Sequence, residues 1–213
     1  MASNLSLIHR FEPATRSGVA PLLLLHGTGG DENDLLPLGR MISPGAALLS
    51  VRGQVLEHGM PRFFRRLAEG VFDEADVNRR ANELADFVEA AREAYGIAAP
   101  LVLGYSNGAN IAAAMLLLRP RTLRGGILLR AMVPLAQPPE ADLSGRSLLL
   151  VSGQHDPIIP PANGEQLAAM LTKAGADVTR RVLPVGHQLS QADIGLAREW
   201  LTRVEATADI TSA

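Results

Sequence analysis

Ser106 stands in the segment Gly104-Tyr105-Ser106-Asn107-Gly108, between an apolar run typical of a strand and a small-residue run of helical period. A Gly-x-Ser-x-Gly segment in that context predicts a tight strand-to-helix turn that exposes the serine hydroxyl. Glycine is needed on both sides because a Cβ at either position would collide with the adjacent strand or helix. The helix N-terminus favours developing negative charge, so the hydroxyl is a candidate nucleophile. The alternative is a glycine-bounded turn in which Ser106 only caps the helix.

A serine hydroxyl is a weak nucleophile until a base removes its proton, and His187 is the candidate base. It lies in Val185-Gly186-His187-Gln188, after the last predicted strand and before the last predicted helix. His9 falls in a predicted edge strand, His58 in an arginine-rich connection, and His155 next to a candidate acid. We therefore expect His187 to be the base, with a purely structural histidine as the alternative.

The base needs a carboxylate that fixes its tautomer and stabilises the imidazolium, and Asp156 is the candidate. It follows the apolar run Leu148 to Val151, and Pro157 keeps it out of helical geometry. Asp142 and Asp177 compete, but neither follows a strand in the right direction. The chain order serine, aspartate, histidine is the one expected for such a sheet and not that of other serine hydrolase folds. A turn-forming Asp-Pro is the alternative.

A tetrahedral oxyanion needs hydrogen-bond donors. We expect one from the backbone N–H of Asn107 and the second from the turn His26-Gly27-Thr28-Gly29-Gly30, at the N–H of Thr28. His26 is then expected to hold this turn by hydrogen bonds. A dinucleotide-binding loop is the rival interpretation, but Glu32 stands where its third glycine would be.

These residues follow short apolar runs that alternate with stretches of helical period. Nearly continuous Leu/Val runs are typical of strands whose two faces are both covered by helices. The predicted strands are Leu22 to Leu25, Ala46 to Val51, Pro100 to Tyr105, Gly126 to Leu129, Leu148 to Val151 and Val178 to Leu183, with an edge strand from Leu5 to Phe11. The predicted helices are Asp73 to Tyr95, Asn107 to Leu118, Glu165 to Ala174 and one that starts after Ser190.

This alternation predicts an α/β fold, a mostly parallel sheet covered by helices on both faces. Residues 1–213 are expected to form one domain, with a frayed tail from about 207 to 213. The connection from Arg52 to Phe72 shows neither a strand nor a helix pattern. Long connections of this kind are usually lids or binding loops.

Composition excludes several classes of function. The chain has 213 residues, a formal charge of −2, no cysteine and one lysine, Lys173. Thiol chemistry, disulfides and zinc fingers are therefore excluded, and nucleic acid is not expected as a partner. The five histidines never stand three to five residues apart, so we expect neither a metal site nor a cofactor.

The first residues, Met-Ala-Ser-Asn-Leu-Ser, lack the pattern of a signal peptide, and the longest apolar runs are shorter than the ~20 residues of a membrane span. A cytoplasmic protein without a membrane span is expected.

Taken together, the turn 26–30, the segments 104–108 and 153–157, and the pair Gly186-His187 resemble the phospholipase/carboxylesterase family of α/β-hydrolases. This family includes acyl-protein thioesterases and small bacterial carboxylesterases. The segment Met60-Pro61-Arg62-Phe63-Phe64-Arg65-Arg66 is similar to the bacterial branch associated with hydroquinone or catechol stress.

The resemblance implies a three-layer α/β-hydrolase fold without a large cap domain. It also implies Ser106, Asp156 and His187 as a triad and allows a homodimer. Asn107 and Thr28 stand where acyl-protein thioesterases usually carry Gln and Leu. Both departures favour the small-molecule esterase branch.

Apolar residues in the loops at the active face predict the substrate pocket. The expected wall comprises Phe63, Phe64, Met132, Ile159 and Leu189. Arg65 and Arg130 are candidates to bind a carboxylate or phenolate of the substrate, since a guanidinium suits such groups.

The expected activity is a serine carboxylesterase that cleaves small-molecule esters of small to medium acyl chains through an acyl-enzyme, without a cofactor. A thioesterase or lysophospholipase with the same triad is one alternative. A non-catalytic ligand-binding protein on a hydrolase scaffold is another.

Overall fold

The computed structural model describes residues 5–211, with side chains through 206. In chain order the elements are β1 (His9–Glu12), β2 (Leu22–Leu25), α1 (Leu36–Ile42), β3 (Leu48–Val51), β4 (Val55–Glu57), β5 (Met60–Arg62), β6 (Arg66–Ala68), β7 (Val71–Phe72), α2 (Glu74–Tyr95), β8 (Leu101–Tyr105), α3 (Asn107–Leu118), β9 (Gly125–Leu129), β10 (Ser147–Gly153), α4 (Pro161–Lys173), β11 (Asp177–Leu183) and α5 (Gln191–Thr211).

A seven-stranded sheet runs through the centre in the order β1-β3-β2-β8-β9-β10-β11. Every pair is parallel except the edge pair β1 and β3. Parallel strands joined by helical crossovers place their carboxyl ends at one edge of the sheet, where ligands bind in such folds. The loops after β2, β8, β10 and β11 therefore meet on one face of the molecule.

Both faces of the sheet are buried. Along β2, Leu23 and Leu25 belong to one core cluster with α2, α3 and α4, while Leu22 and Leu24 belong to another with α1 and α5. All four leucines are at most 1% exposed. The lack of polar alternation in the sequence thus comes from central strands that are covered on both faces, whereas the edge strands β1 and β11 are partly exposed. The predicted three-layer α/β-hydrolase fold is confirmed.

Two predicted helix ends are confirmed. The Asp73 side chain accepts the backbone N–H of Asp76 at the start of α2, and Gly96 ends that helix with φ +64°. Helix α4 begins at Pro161, four residues before the predicted start, because proline is well suited to the first helical turn.

The sequence did not reveal α1 or the two hairpins. Helix α1 has seven residues, too few for a clear hydrophobic period. The connection after β3 folds into the hairpins β4-β5 and β6-β7, whose strands have two or three residues each. The predicted edge strand is shorter than expected, His9–Glu12, and it is antiparallel to its neighbour.

Helix α5 continues to Thr211. The predicted frayed tail, 207–213, lies outside the residues whose side chains are described, so it stays a prediction. Between residues 5 and 211, none of the helices has both the length and the apolar character that a bilayer crossing requires.

Candidate active site

Ser106 occupies the sharp turn between β8 and α3. Its backbone has φ +51° and ψ −114°, a left-handed conformation that non-glycine residues rarely adopt. Its N–H donates to the Leu129 carbonyl at 2.8 Å, which ties the turn to β9. A Cβ on Gly104 would lie 2.7 Å from Ala109 Cα, and one on Gly108 would overlap the backbone of Leu25. The two glycines therefore allow the close packing that holds this strained turn.

His187 connects Ser106 to Asp156. Its Nε2 lies 2.9 Å from Ser106 Oγ, and its Nδ1 lies 2.8 Å from Asp156 Oδ2. Ionised Asp156 can only accept, so the ring carries its proton on Nδ1 and leaves Nε2 free to accept the serine proton. The Asp156 side chain is 1% exposed, and its other oxygen accepts the N–H groups of Ile158 and Ile159 at 2.8 and 3.0 Å. The structure thus brings the three predicted residues together.

Arg130 supports the loop that carries His187. The Arg130 guanidinium donates to the carbonyls of Gly186 and Gln188 at 3.1 and 3.2 Å, and Tyr105 Oη donates to the His187 carbonyl at 3.2 Å. Arg130 also forms a two-pronged ion pair with Asp193, at 2.7 and 3.0 Å, with both side chains at most 1% exposed. The expectation that Arg130 binds substrate is therefore corrected: its donors are used inside the protein.

The backbone N–H groups of Thr28 and Asn107 both belong to residues that line the cleft beside Ser106. Within the part of the chain that the structure describes, neither amide donates a hydrogen bond to another protein group. Two free amides beside a serine hydroxyl are what an oxyanion site requires. The Asn107 side chain is also buried: its Oδ1 accepts the Phe63 N–H at 2.7 Å, while its Nδ2 has no partner among the described residues.

His26 fastens the turn that carries Thr28. Its Nδ1–H donates to the Gly27 carbonyl at 2.6 Å, and its Nε2 accepts the Gly53 N–H at 2.9 Å. The second bond requires an unprotonated Nε2. Burial lowers the pKa of His26, so the neutral ring that this bond needs is favoured.

Ser106 and His187 open into a cleft of 330 Å³. Of the predicted wall residues, Met132 and Ile159 line it. Sequence reasoning missed several others that line the same cleft: Arg62, Arg66, Glu69, Gly70, Phe72, Tyr105, Asn110 and Ile158. Most of these belong to the two hairpins or to the loop after β10. A pattern of two-residue strands does not show which side faces a cleft, so no clear signal could have identified them.

Four expected pocket residues lie elsewhere. Phe63 packs on the His26 ring with 4.8 Å between centroids, and Phe64 is fully buried against Phe72. Leu189 packs on the core cluster that contains α1 and α5. Arg65 is 61% exposed and pairs with Asp73 at 2.8 Å. The expectation is therefore corrected: Phe63 and Phe64 are core residues, Leu189 is partly buried against the core, and Arg65 is a surface residue.

Among the described side chains, the structure contains no group of three His, Asp or Glu residues arranged to hold a metal ion. What the site does offer is a hydroxyl, an imidazole and a carboxylate in series, with two free amides beside the hydroxyl. This arrangement can transfer an acyl group through the serine.

Comparisons with known proteins indicate which family the chain belongs to. A family model described as Phospholipase/Carboxylesterase matches residues 12–204. The chain is 46% identical over 194 residues to a Bacillus subtilis (strain 168) protein named "Putative hydrolase MhqD", which covers 90% of this chain and 96% of that protein.

Two crystal structures are similar over nearly their whole length. The carboxylesterase of Bacillus cereus superposes with a TM-score of 0.92 at 44% identity, covering 94% of this chain and 96% of that one. A carboxylesterase from Mesorhizobium loti gives a TM-score of 0.89 at 33% identity, with the same coverage of 94% and 96%.

Proposed function

Because the chain belongs to the phospholipase/carboxylesterase family of α/β-hydrolases and is a carboxylesterase-type enzyme, we propose that it cleaves esters of small to medium acyl chains with Ser106, His187 and Asp156 as its catalytic triad. The observation that carries this proposal is the continuous series of hydrogen bonds, 2.9 and 2.8 Å long, from the strained serine through the imidazole to a buried carboxylate.

In the acylation step, His187 Nε2 takes the proton of Ser106 Oγ as the oxygen attacks the ester carbonyl. The charge that develops on the carbonyl oxygen is stabilised by the N–H groups of Thr28 and Asn107. Protonated His187 then gives its proton to the alcohol oxygen as the C–O bond breaks. Asp156 keeps the ring oriented and stabilises its charged form.

Deacylation repeats the sequence with water. His187 removes a proton from a water molecule, whose oxygen attacks the acyl carbonyl on Ser106 Oγ. The serine then leaves with the proton from His187, and the carboxylic acid is released. In both steps His187 is the residue that carries the proton between the reacting oxygens, while Asp156 and the two amides only stabilise charge.

The size of the cleft supports small substrates. At 330 Å³ it stands at the lower end of ligand pockets, which range from about 300 to 1,000 Å³. The apolar side chains of Phe72, Met132 and Ile159 can contact a short hydrocarbon chain.

The homodimer and the cytoplasmic location stay predictions.

A substrate panel tests the proposal. Purified protein is assayed with 4-nitrophenyl esters of two to twelve carbons, acyl-coenzyme A thioesters and a lysophospholipid, beside Ser106→Ala. We expect the highest kcat/KM for short or medium esters and no turnover above background for Ser106→Ala. Faster turnover of long-chain thioesters or of the lysophospholipid would instead favour those alternative activities. A wild-type protein without any hydrolysis would contradict the proposal and favour a binding protein.

A further inference from the structure

One side of the cleft carries two arginines that the proposed mechanism does not use. Arg62 ends β5 and Arg66 begins β6, and both line the cleft that contains Ser106. The Arg62 residue is 3% exposed, whereas the Arg66 side chain is 30% exposed. A buried guanidinium on the wall of a substrate cleft is costly unless it has an anionic partner.

The protein supplies only part of that partner. Glu57 Oε1 accepts Arg66 Nε at 2.9 Å, and Glu57 Oε2 lies 3.3 Å from Arg62 Nη1. One carboxylate thus serves two guanidiniums. Burial lowers the pKa of Arg62, and the positive charge of Arg66 lowers it further. Glu69 also lines the cleft, but it is exposed at the tip of the β6-β7 hairpin, where water screens its charge.

The acceptors around these arginines, which include the Phe64 carbonyl at 3.3 Å from Arg62 Nε, do not use all of the guanidinium donors. Arg62 Nη1 donates to Thr28 Oγ1 at 2.8 Å, so this guanidinium touches the turn that supplies a proposed oxyanion amide. Among the residues that the structure describes, the two Nη atoms of Arg66 have no protein partner. Asn107 also lines the cleft, and its buried Nδ2 has no partner among the described residues. A ligand that fits this side must bring acceptors and negative charge.

We propose that Arg62 and Arg66 form an anion subsite and that the preferred substrates are esters that carry a carboxylate. The carboxylate binds at the arginines, while the hydrocarbon part contacts Phe72, Met132 and Ile158, three apolar residues of the cleft lining. This inference rests on the proposed esterase function and adds the class of ester. It replaces the expected role of Arg65 and Arg130 with two other arginines.

The test compares charged and neutral esters of matched shape. For the acyl side, the pair is 4-nitrophenyl hydrogen adipate and 4-nitrophenyl hexanoate. For the alcohol side, the pair is 4-acetoxybenzoate and 4-methylphenyl acetate. The variant is Arg66→Gln, and the matched control is Arg65→Gln, which changes the adjacent arginine, exposed and turned toward Asp73.

In at least one pair, Arg66→Gln should lower the charged-to-neutral ratio of kcat/KM about 10- to 100-fold, the range expected for hydrogen bonds to a charged group. Arg65→Gln should leave the ratio within about twofold of wild type. Added salt should reduce the preference of the wild type, since the attraction is screened. Equal ratios in wild type, Arg66→Gln and Arg65→Gln for both pairs would overturn the anion subsite while leaving the esterase intact.

Calorimetric titration with adipate separates the two proposals. Wild-type protein should bind adipate, and Arg66→Gln should weaken that binding at least about tenfold, with Arg65→Gln unchanged. If no ester is hydrolysed, the proposed function fails, and the adipate titration alone decides the subsite. Absence of adipate binding, or binding that Arg66→Gln leaves unchanged, would contradict it.

Discussion

Asp156 competes in the sequence with Asp142 and Asp177, and with the simpler role of a residue that forms a turn. Its Oδ2 is 2.8 Å from His187 Nδ1, and it lies in a loop, where an aspartate could equally form a turn. In the structure it does both: Oδ1 accepts two backbone N–H groups while Oδ2 accepts from the ring. The same carboxylate thus holds its own loop and orients the imidazole.

Asp156→Asn should lower kcat on a short 4-nitrophenyl ester by about 10⁴-fold, because an amide cannot accept from Nδ1–H with the same charge and stabilises the wrong tautomer. The circular dichroism spectrum of the variant should match that of wild type, because the fold is expected to stay intact. The control is Asp177→Asn, a competing aspartate that is exposed at the start of β11. Equal losses in the two variants, or more than a tenth of the activity in Asp156→Asn, would contradict the assigned role.

For single residues, sequence reasoning finds a candidate whose location is set by the backbone topology. It misses a residue whose contribution depends on the direction of its side chain. Ser106, Asp156 and His187 each follow a parallel strand, so their convergence follows from topology. Phe63 and Phe64 were assigned to the pocket because they lie in a loop near it, but they point into the core. Arg62 and Arg66 are separated from Arg65 by at most three positions, and only the hairpin geometry distinguishes them.

The turn between β8 and α3 depends on glycine at position 108. A Cβ there would overlap the carbonyl groups of Leu25 and His26, which are backbone atoms that cannot move aside cheaply. Gly108→Ala should therefore reduce the free energy of unfolding by about 1–3 kcal/mol or more and abolish esterase activity. The control is Gly195→Ala in α5, where nothing lies within 4 Å of a Cβ.

Gly195→Ala should raise the free energy of unfolding by up to about 1 kcal/mol, since alanine favours a helix interior. Urea denaturation followed by fluorescence of Trp200 measures both variants. A Gly108→Ala protein as stable and active as wild type would show that the turn does not need its glycine.

The loop that carries His187 is joined to β9 and α5 by the buried pair of Arg130 and Asp193. Arg130→Met should lower the free energy of unfolding by about 3–5 kcal/mol, because it leaves the Asp193 carboxylate buried without its cation. Arg130→Met combined with Asp193→Asn should recover part of that loss, since the uncompensated charge is gone. The control is Arg119→Met, which removes ion pairs with Asp86 and Glu89, whose side chains are 69% and 44% exposed, and should lower the free energy of unfolding by less than about 1 kcal/mol.

Urea midpoints and slopes are measured for wild type, Arg130→Met, Asp193→Asn, the double variant and Arg119→Met. If the double variant is destabilised by as much as the sum of its two single changes, the pair does not act as a unit. Esterase activity should fall with Arg130→Met even at temperatures where the protein stays folded, since the carbonyls of Gly186 and Gln188, on either side of His187, lose their donor.

Elements with long, uniform burial could be predicted from the sequence, whereas short ones could not. The run 22–25 is apolar at every position because helices cover both faces of β2, and α2 shows its stripe over 22 residues. The strands β4 to β7 and the helix α1 have too few residues for a period. Their form depends on contacts such as the Asn107–Phe63 hydrogen bond, which joins residues 44 positions apart.

For the molecule as a whole, His26 links the proposed oxyanion turn to global stability. Burial lowers the pKa of His26 below its ordinary value of about 6.5, so the unfolded chain takes up this proton at a higher pH than the folded protein does. Between those two pKa values the unfolded state binds more protons, and the free energy of unfolding therefore falls as the pH is lowered below about 6.5.

Urea denaturation at pH 7.5, 6.5 and 5.5 measures this effect. The free energy of unfolding of wild type should fall between pH 6.5 and 5.5. His26→Gln should be less stable at pH 7.5, because it loses the bond to the Gly53 N–H, and its free energy of unfolding should change less with pH. A His26→Gln protein with the same pH dependence as wild type would assign the effect to other groups.

The fold brings Ser106 and Asp156, which stand 81 and 31 positions before His187 in the sequence, into one proposed acyl-transfer site with it. Mass spectrometry after treatment with a fluorophosphonate measures this most directly, since Ser106 Oγ must displace fluoride to form a phosphonate ester. We predict one added probe on wild type, mapped to the peptide that contains Ser106, none on Ser106→Ala and greatly slowed labelling of His187→Ala. A folded wild-type protein that stays unmodified, or equal labelling of Ser106→Ala, would contradict the account.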